Sequence, residues 1–429
     1  MPISIVDYNP GLISDLHEVK GEQDRLAITK TLEEIRVAIQ AQGDQALIHY
    51  SRLYDKVEDL KFNCWVSPKE IKSAYKQVPS TFIDAVKKAK ANIEWFHKQQ
   101  MPVDWYAEKK DGSQYGLRYT AMERAGLYVP GGRAAYPSSV LMNVIPAQTA
   151  GVEDIIIATP PRRDGSIAPS ILVAADICGI KKILKAGGAQ AVFALAYGTQ
   201  SVKKVDTIVG PGNIYVTLAK QMVYGQVNID KPAGPSESLV YVNDKKYAVY
   251  AAAELLAQLE HDPDAVAVGV SEEASILKLI QTQIECQAKA CSRWDVIEQA
   301  MQNSMLIQTK NKTQSIDAIN AIASEHLVLL TDNYKKLIPK IKHAGAIFCG
   351  PYTPVAAGDY FAGPNHVLPT ANAARFSSPL GVRDFMKASS VLVYSSANLK
   401  TAEPYIKALT EMEGFDAHYK SVMIRLQES

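Results

Sequence analysis

The amino-acid sequence predicts an α/β protein with two parallel sheets. Three observations carry that expectation. From about residue 125 onwards, short β-rich runs alternate with helical patterns, which is the texture of βαβ units. The alternation comes in two series. "AGLYV", "DIIIATP", "KILKAGG" and "DTIVGPGN" make the first; after "AGPSESLVYV" follow "AVAVGV", "MLIQTK", "HLVLL" and "AGAIFCG". Finally, 429 residues suffice for two or three domains at the usual ~100–200 residues each. A core of ordinary size is then available without staples.

The part before residue 125 reads as helical. Ile28, Leu32, Ile35 and Ile39 fall on one helix face. "SPKE" offers Ser67 as N-cap, Pro68 in the first turn and Glu70 closing a capping box. Phe82, Val86, Ala89, Ile93 and Phe96 make a further apolar stripe, which at this spacing is core. In the first strand series, "VPGGRAAYPSS", "KAGGAQA" and "VGPGNIYV" put glycines at the carboxyl ends of strands. Ligands bind there in open α/β sheets, and glycine lets backbone N–H groups approach a phosphate. Singly, each is an ordinary tight turn; together they point to a binding crevice. No GxGxxG follows a strand, so the usual dinucleotide fingerprint is absent. In the second series, "ASEHLVLL" sets Glu325 and His326 directly before the apolar run Leu327 to Leu330, a strand covered on both faces. A last apolar run, "SVLVYS", precedes two polar helices with no further strand.

Composition narrows the function classes. Apolar residues make up 47% and charged residues 21%, which suits a soluble globular enzyme. The net charge of +1 gives no basic stripe for nucleic acid and no membrane surface. "MPISIVDYNP" lacks the pattern of a signal peptide. The five cysteines are scattered and odd in number, which fits a reducing cytoplasm and small buried side chains.

There are eight histidines. His17, His49, His97 and His343 read as surface or capping residues. The other four sit among polar partners. Gln258 and His261 share a face near a helix end, which Asp262-Pro263 terminates. Asp359 and His366 occupy a Gly- and Pro-rich segment, and such a loop in an α/β protein is usually functional. Glu413 and His418 lie in "EGFDAH". A lone histidine is most often a satisfied, partly buried imidazole. As a set, nitrogen and oxygen donors without cysteine suit zinc or another borderline metal, although glutamine is an uncommon ligand.

"LYVPGGRAAYPSSVLMN", "GGAQAVFALAYGT", "VGPGNIYV", "IDKPAGPSESLV", "QLEHDPD", "SEHL", "GDYFAGPNHVLPT" and "EGFDAH" together resemble the histidinol dehydrogenase family, in order from about residue 20 to 426. Ser324, Ala121-Met122 and Tyr419 depart from the family pattern without removing a functional group. The resemblance implies oxidation of L-histidinol to L-histidine through a bound aldehyde, with two NAD and one zinc per subunit, as the last step of histidine biosynthesis. It implies an intertwined homodimer of two incomplete Rossmann-like parallel-sheet domains with small arms. On that division, 1–24 is an N-terminal arm and 25–124 a helical part packing with the second α/β domain. Residues 125–235 are the first, NAD-binding α/β domain, and 236–380 the second, carrying zinc and catalysis. Residues 381–429 are a C-terminal helical arm docking on the partner chain.

Carried over by motif, the resemblance makes Gln258, His261 and Asp359 zinc ligands, with His418 from the partner. Glu325 and His326 become the acid–base pair. Ser236, His366 and Glu413 bind substrate, with Ser139 and Asp359 lining it; the metal ligands and the acid–base pair also face it. Tyr128, Gln190 and Asn213 touch NAD. A neutral imidazole with a pKa near the working pH suits removal of the alcohol proton, so His326 is the expected base. Glu325 is expected to polarise the water that the aldehyde takes up. Three other readings compete. One is a dehydrogenase of the same fold acting on another amino or hydroxy alcohol. Another is a zinc hydrolase, against which the glycine turns and the absence of HExxH argue. The third is a metal-binding protein without turnover.

Overall fold

The computed structural model describes residues 3–11, 22–58, 63–131, 135–231 and 234–427. His17 lies outside them. The chain starts with strand β1 (Ser4–Asp7), then helices α1 (Glu22–Gln42), α2 (Asp44–Tyr54), α3 (Pro68–Ala74) and α4 (Ser80–Lys98). Strands β2 (Trp105–Glu108) and β3 (Gln114–Ala121) follow. The first series is β4 (Arg124–Tyr128), α5 (Pro137–Ala150), β5 (Asp154–Thr159), α6 (Pro169–Ile177), β6 (Ile183–Lys185), α7 (Gly188–Tyr197), β7 (Thr207–Val209), α8 (Ile214–Val223) and β8 (Asn228–Ile229). The second is β9 (Glu237–Val242), α9 (Ala248–Leu259), β10 (Val266–Ser271), α10 (Ala274–Ala288), α11 (Trp294–Ala300), β11 (Met305–Gln308), α12 (Lys312–Ile322), β12 (His326–Leu330) and β13 (Ala346–Cys349). Strand β14 (Met386–Val393) and helices α13 (Ser396–Glu413) and α14 (Asp416–Gln427) close the chain.

Two parallel sheets result, as the alternation predicts. The first has strand order β6-β5-β4-β7-β8 and the second β1-β11-β10-β9-β12-β13. Both are covered on both faces, which is why their strands read as unbroken apolar runs rather than alternating ones. On the first sheet, α3 to α6 fill one face and α1, α2, α7 and α8 the other. On the second, α9 to α11 fill one face and α12 packs on the other.

The segment 25–124 differs from expectation in two ways. Its helices pack on the first sheet, not the second. Leu32, Ile35 and Ile39 of α1 are buried against Leu195 and Ala219 of the first series. Each fully buried side chain of this kind contributes about 1.5–3 kcal/mol, so the apolar stripe fixes where the helix docks. Nor is the segment wholly helical. β2 and β3 join β14 in a small antiparallel sheet of order β14-β3-β2. β3 is only half-buried and mixes Tyr, Arg and Thr with Leu, so no apolar run announces it. The C-terminal arm is accordingly tied to the body by a strand before its two helices begin. At the other end of the chain, β1 adds to the second sheet beside β11, so residues 4–7 are part of that sheet rather than an arm.

Locally the sequence signals hold. Ser67 and Glu70 form the capping box: the Glu70 N–H donates to Ser67 Oγ at 3.3 Å and the Ser67 N–H to Glu70 Oε2 at 2.8 Å. Val86, Ala89 and Ile93 are buried core residues of α4. His97 corrects the surface reading. It is fully buried, with Nδ1 2.9 Å from Gln100 Oε1, and a helix-end histidine cannot be told from a capping one by spacing. Cys64 and Cys178 are buried as expected, while Cys286 is exposed.

Candidate active site

Parallel sheets align strand ends, and here two such ends face each other. Gly210 and Pro211, just past the carboxyl end of β7, line a cavity of about 60 Å³ together with Ser236, Glu325 and His366. Ser236 and Glu325 stand just before the amino ends of β9 and β12. The crevice therefore runs between the carboxyl edge of the first sheet and the amino edge of the second. Two chain features keep it open. Gly210 adopts φ +114°, and a Cβ there would lie 2.1 Å from the Tyr128 carbonyl oxygen. Asp230 Oδ2 accepts the Gly210 N–H at 2.8 Å, and its carboxylate pairs with Lys220 in full burial.

His326 begins β12, Glu325 directly precedes it, and both are buried. Ser324, also buried, donates its hydroxyl to the His326 carbonyl at 2.9 Å and fixes the strand entry. His326 Nδ1 is 3.8 Å from Glu325 Oε2, and Nε2 is 3.7 Å from Asp359 Oδ1. Both ring nitrogens are buried and lie beyond hydrogen-bond distance of these carboxylates. Burial disfavours charge on this imidazole. The Glu325 and Asp359 carboxylates outweigh it and push the His326 pKa up to about 9. The two carboxylates favour the charged imidazole, whereas the sequence reading takes His326 as a neutral base. Glu325 makes the largest single contribution to the upward push, and Asp359, which sequence distance hides, adds to it.

Burial raises the Glu325 pKa, against the pull of His326 and of the Glu237 N–H, which donates to Oε2 at 3.0 Å. Burial would raise Asp359 too, but the surrounding His326, His366 and His261 hold its carboxyl below the usual range. His366 is clamped from both sides. Its Nδ1 lies 3.0 Å from the Asp359 carbonyl and its Nε2 3.2 Å from Ser139 Oγ. That last contact joins the second series to the start of α5 in the first. Ser139, Ser236, Glu325, His326, Asp359 and His366 are therefore gathered in one place, as the motifs imply.

Gln258 is buried in the last turn of α9, and its Nε2 has no partner. His261 follows just past the helix end, where it is exposed and within electrostatic reach of Asp359. These three side chains offer an amide, an imidazole and a carboxylate without sulfur, a donor set that fits zinc. Among the described residues, no group of three or more His, Cys, Asp or Glu could hold a metal within the one chain. His418 is exposed on α14 and stacks on Phe415, its ring centroid 5.1 Å away, and Glu413 is exposed at the end of α13. The single chain does not bring these two to the rest.

The three residues read as NAD contacts line the carboxyl edge of the first sheet. Tyr128 ends β4, Gln190 lies in the first turn of α7, and Asn213 caps α8 by accepting the Val216 N–H at 3.2 Å. The Tyr128 hydroxyl accepts the Gly188 N–H at 3.1 Å. Sequence reasoning missed Asp55, at the end of α2. Its Oδ2 accepts the Gly187 N–H at 3.1 Å and Gln190 Nε2 at 3.2 Å, and burial pushes its pKa up to about 6. Nothing around Asp55 in sequence marks it, because α2 meets the glycine turn only in the folded chain. Among the described residues, no helix is long and apolar enough to cross a membrane.

The family model described as "Histidinol dehydrogenase" matches residues 18–426. Histidinol dehydrogenase of a Synechococcus strain is 44% identical, over 97% of this chain and 98% of its own length. That of Bacillus subtilis is also 44% identical, over 92% of each chain. The crystal structure of histidinol dehydrogenase from Elizabethkingia anophelis superposes with a TM-score of 0.94 at 34% identity, covering 99% of this chain and 98% of that one. With the family model matched over residues 18–426 and relatives matched over more than nine-tenths of its length, the chain belongs to the histidinol dehydrogenase family.

Proposed function

We propose that the protein is a cytoplasmic enzyme that oxidises L-histidinol to L-histidine through a bound aldehyde, using two NAD and one zinc per subunit. The observation that carries this is the convergence of Glu325, His326, Asp359 and His366 opposite the Gly210 turn. Gln258, His261 and Asp359 would hold zinc, with the partner's His418 as fourth ligand. Zinc would supply Lewis acidity that fixes the substrate's amine and imidazole nitrogens. NAD would accept the hydrides, bound by Tyr128, Gln190 and Asn213 over the edge of the first, Rossmann-like sheet.

The chain's own groups do the proton work. As a zinc ligand Asp359 would offer His326 less of its negative charge, which would favour the neutral imidazole. The imidazole then moves towards the neutral base that takes the alcohol proton. Glu325, anchored by the Glu237 N–H, faces the same ring and activates water for the aldehyde. Ser139 orients His366, and Ser236 lies against Glu325, so both serines place the substrate between the sheets. Glu413 of the partner subunit would complete substrate binding.

The shared site also has support in this chain. On α13 and its end, Tyr405, Leu409 and Met412 are 72%, 66% and 88% exposed. Apolar residues so open on a helix that packs chiefly on α14 call for a covering surface, and a second copy supplies it. Gly414, at φ +72°, turns the chain between Glu413 and His418 so that both can enter one site. The test is NADH formation with L-histidinol and with a small diol, together with substrate consumption in the absence of NAD. Turnover of the diol alone would favour another alcohol substrate, and turnover without NAD would favour hydrolysis.

A further inference from the structure

Glu237 opens β9 and is itself 8% exposed. β12 pairs with β9 in parallel, with His326 level with Ser238. One residue earlier, Glu325 is therefore level with Glu237, and the two carboxyls leave the same side of the sheet. They are not equivalent. Glu325 Oε2 receives the Glu237 N–H at 3.0 Å, and Glu325 also faces His326 and Ser236. Glu237 lies against the backbone N–H groups of Asn372 and Glu325, but its Oε1 is buried with no hydrogen-bond partner. On its other side β10 offers only Val266. The charged groups facing it are Glu325 and His326, both from β12.

Two carboxyls at one level of neighbouring strands in a dry place disfavour ionising together. An unpartnered oxygen costs far more as part of an anion than as part of a neutral acid. The proton of the pair then belongs on the member with the poorer hydrogen bonding. We propose that Glu237 is a positioning residue that carries the proton of the Glu237–Glu325 pair and so keeps Glu325 as the anion. The direction of its own pKa agrees: burial first, then the Glu325 charge, pushes it up to about 8. As an acid, Glu237 spares Glu325 from taking up that proton, and its N–H aims the ionised oxygen. The role in turnover rests on the proposed reading of Glu325 as the group that activates water.

Infrared difference spectroscopy on the whole enzyme tests the proton without any substrate, so its failure is separable from failure of the proposed reaction. Wild type at pH 7 should show the carbonyl stretch of a protonated carboxyl that Glu237→Gln lacks, with a midpoint near 8 on titration. In Glu325→Gln, with the like charge gone, that band should persist but titrate at least about one pH unit lower, the usual scale of such coupling. If Glu237→Gln does not fold, this second titration decides. In turnover, Glu237→Gln should be at least about tenfold faster than Glu237→Ala, the scale of a lost positioning contact. A band that survives in Glu237→Gln and vanishes in Glu325→Gln would place the proton on the wrong partner. Two equally slow Glu237 variants, or two as fast as wild type, would equally overturn the proposal.

Discussion

Asp230→Asn is expected to weaken the first α/β unit severely. Asp230 and Lys220 form an ion pair whose side chains are 1% and 2% exposed. Lys220 also donates to the Gly210 carbonyl at 2.9 Å, and Asp230 accepts the Gly210 N–H. The pair thus holds both sides of the turn that lines the crevice. Removing one member leaves the other charge buried without compensation, which costs about 3–5 kcal/mol. For a unit of roughly 200 residues, each kcal/mol lowers the melting temperature by about 2–4 °C, so a drop of at least ~6 °C is expected. Lys220→Met should cost less, because it leaves a carboxylate that can take up a proton, and the double variant should cost less than the sum. Thermal unfolding followed by circular dichroism measures all three. If Asp230→Asn shifts the midpoint by no more than a surface substitution does, the turn is not held by this pair.

Three further outcomes follow from the site. His326→Asn should keep its fold and zinc content yet lose about 10²-fold or more in turnover, the scale of a positioned base; near-normal rates would remove His326 from the mechanism. Asp55 carries a pKa raised to about 6 by burial, so the folded state holds its proton more tightly than the unfolded chain. Its contribution is fully present below the unfolded carboxyl range and is lost as pH rises through about 6. Asp55→Asn should flatten that part of the stability profile, and an unchanged slope between pH 4 and 6 in chemical denaturation would contradict it. Finally, His418→Asn and His326→Asn chains, each nearly inactive, should recover activity when unfolded and refolded together. Mixed dimers that form but stay inactive would show that each chain owns its whole site.

Much of this architecture is legible in the sequence. The nine apolar runs became strands because sheets covered on both faces demand unbroken hydrophobicity. The pair Glu325-His326 was visible because two polar residues abut such a run. What stayed hidden depends on tertiary contact. β3 pairs with β14, more than 260 residues away, and β2 with β3, through mixed side chains that carry no period. The docking side of α1 was open because an amphipathic stripe says that a helix packs, not on which sheet. Asp55 and Glu237 gain their character from neighbours on other elements. The raised pKa of His326 likewise draws on Asp359, which only the fold brings opposite the ring.

The stoichiometry of the reaction tests the central claim most directly. Enzyme stripped of metal and reloaded with zinc is supplied with limiting L-histidinol and excess NAD, and NADH and L-histidine are both quantified. Passage through an aldehyde that stays bound until water is added predicts two NADH for every L-histidinol consumed, one L-histidine formed and no free aldehyde. A single NADH with aldehyde released to solution would contradict the account, because the Glu325–His326 pair would then serve only the first oxidation.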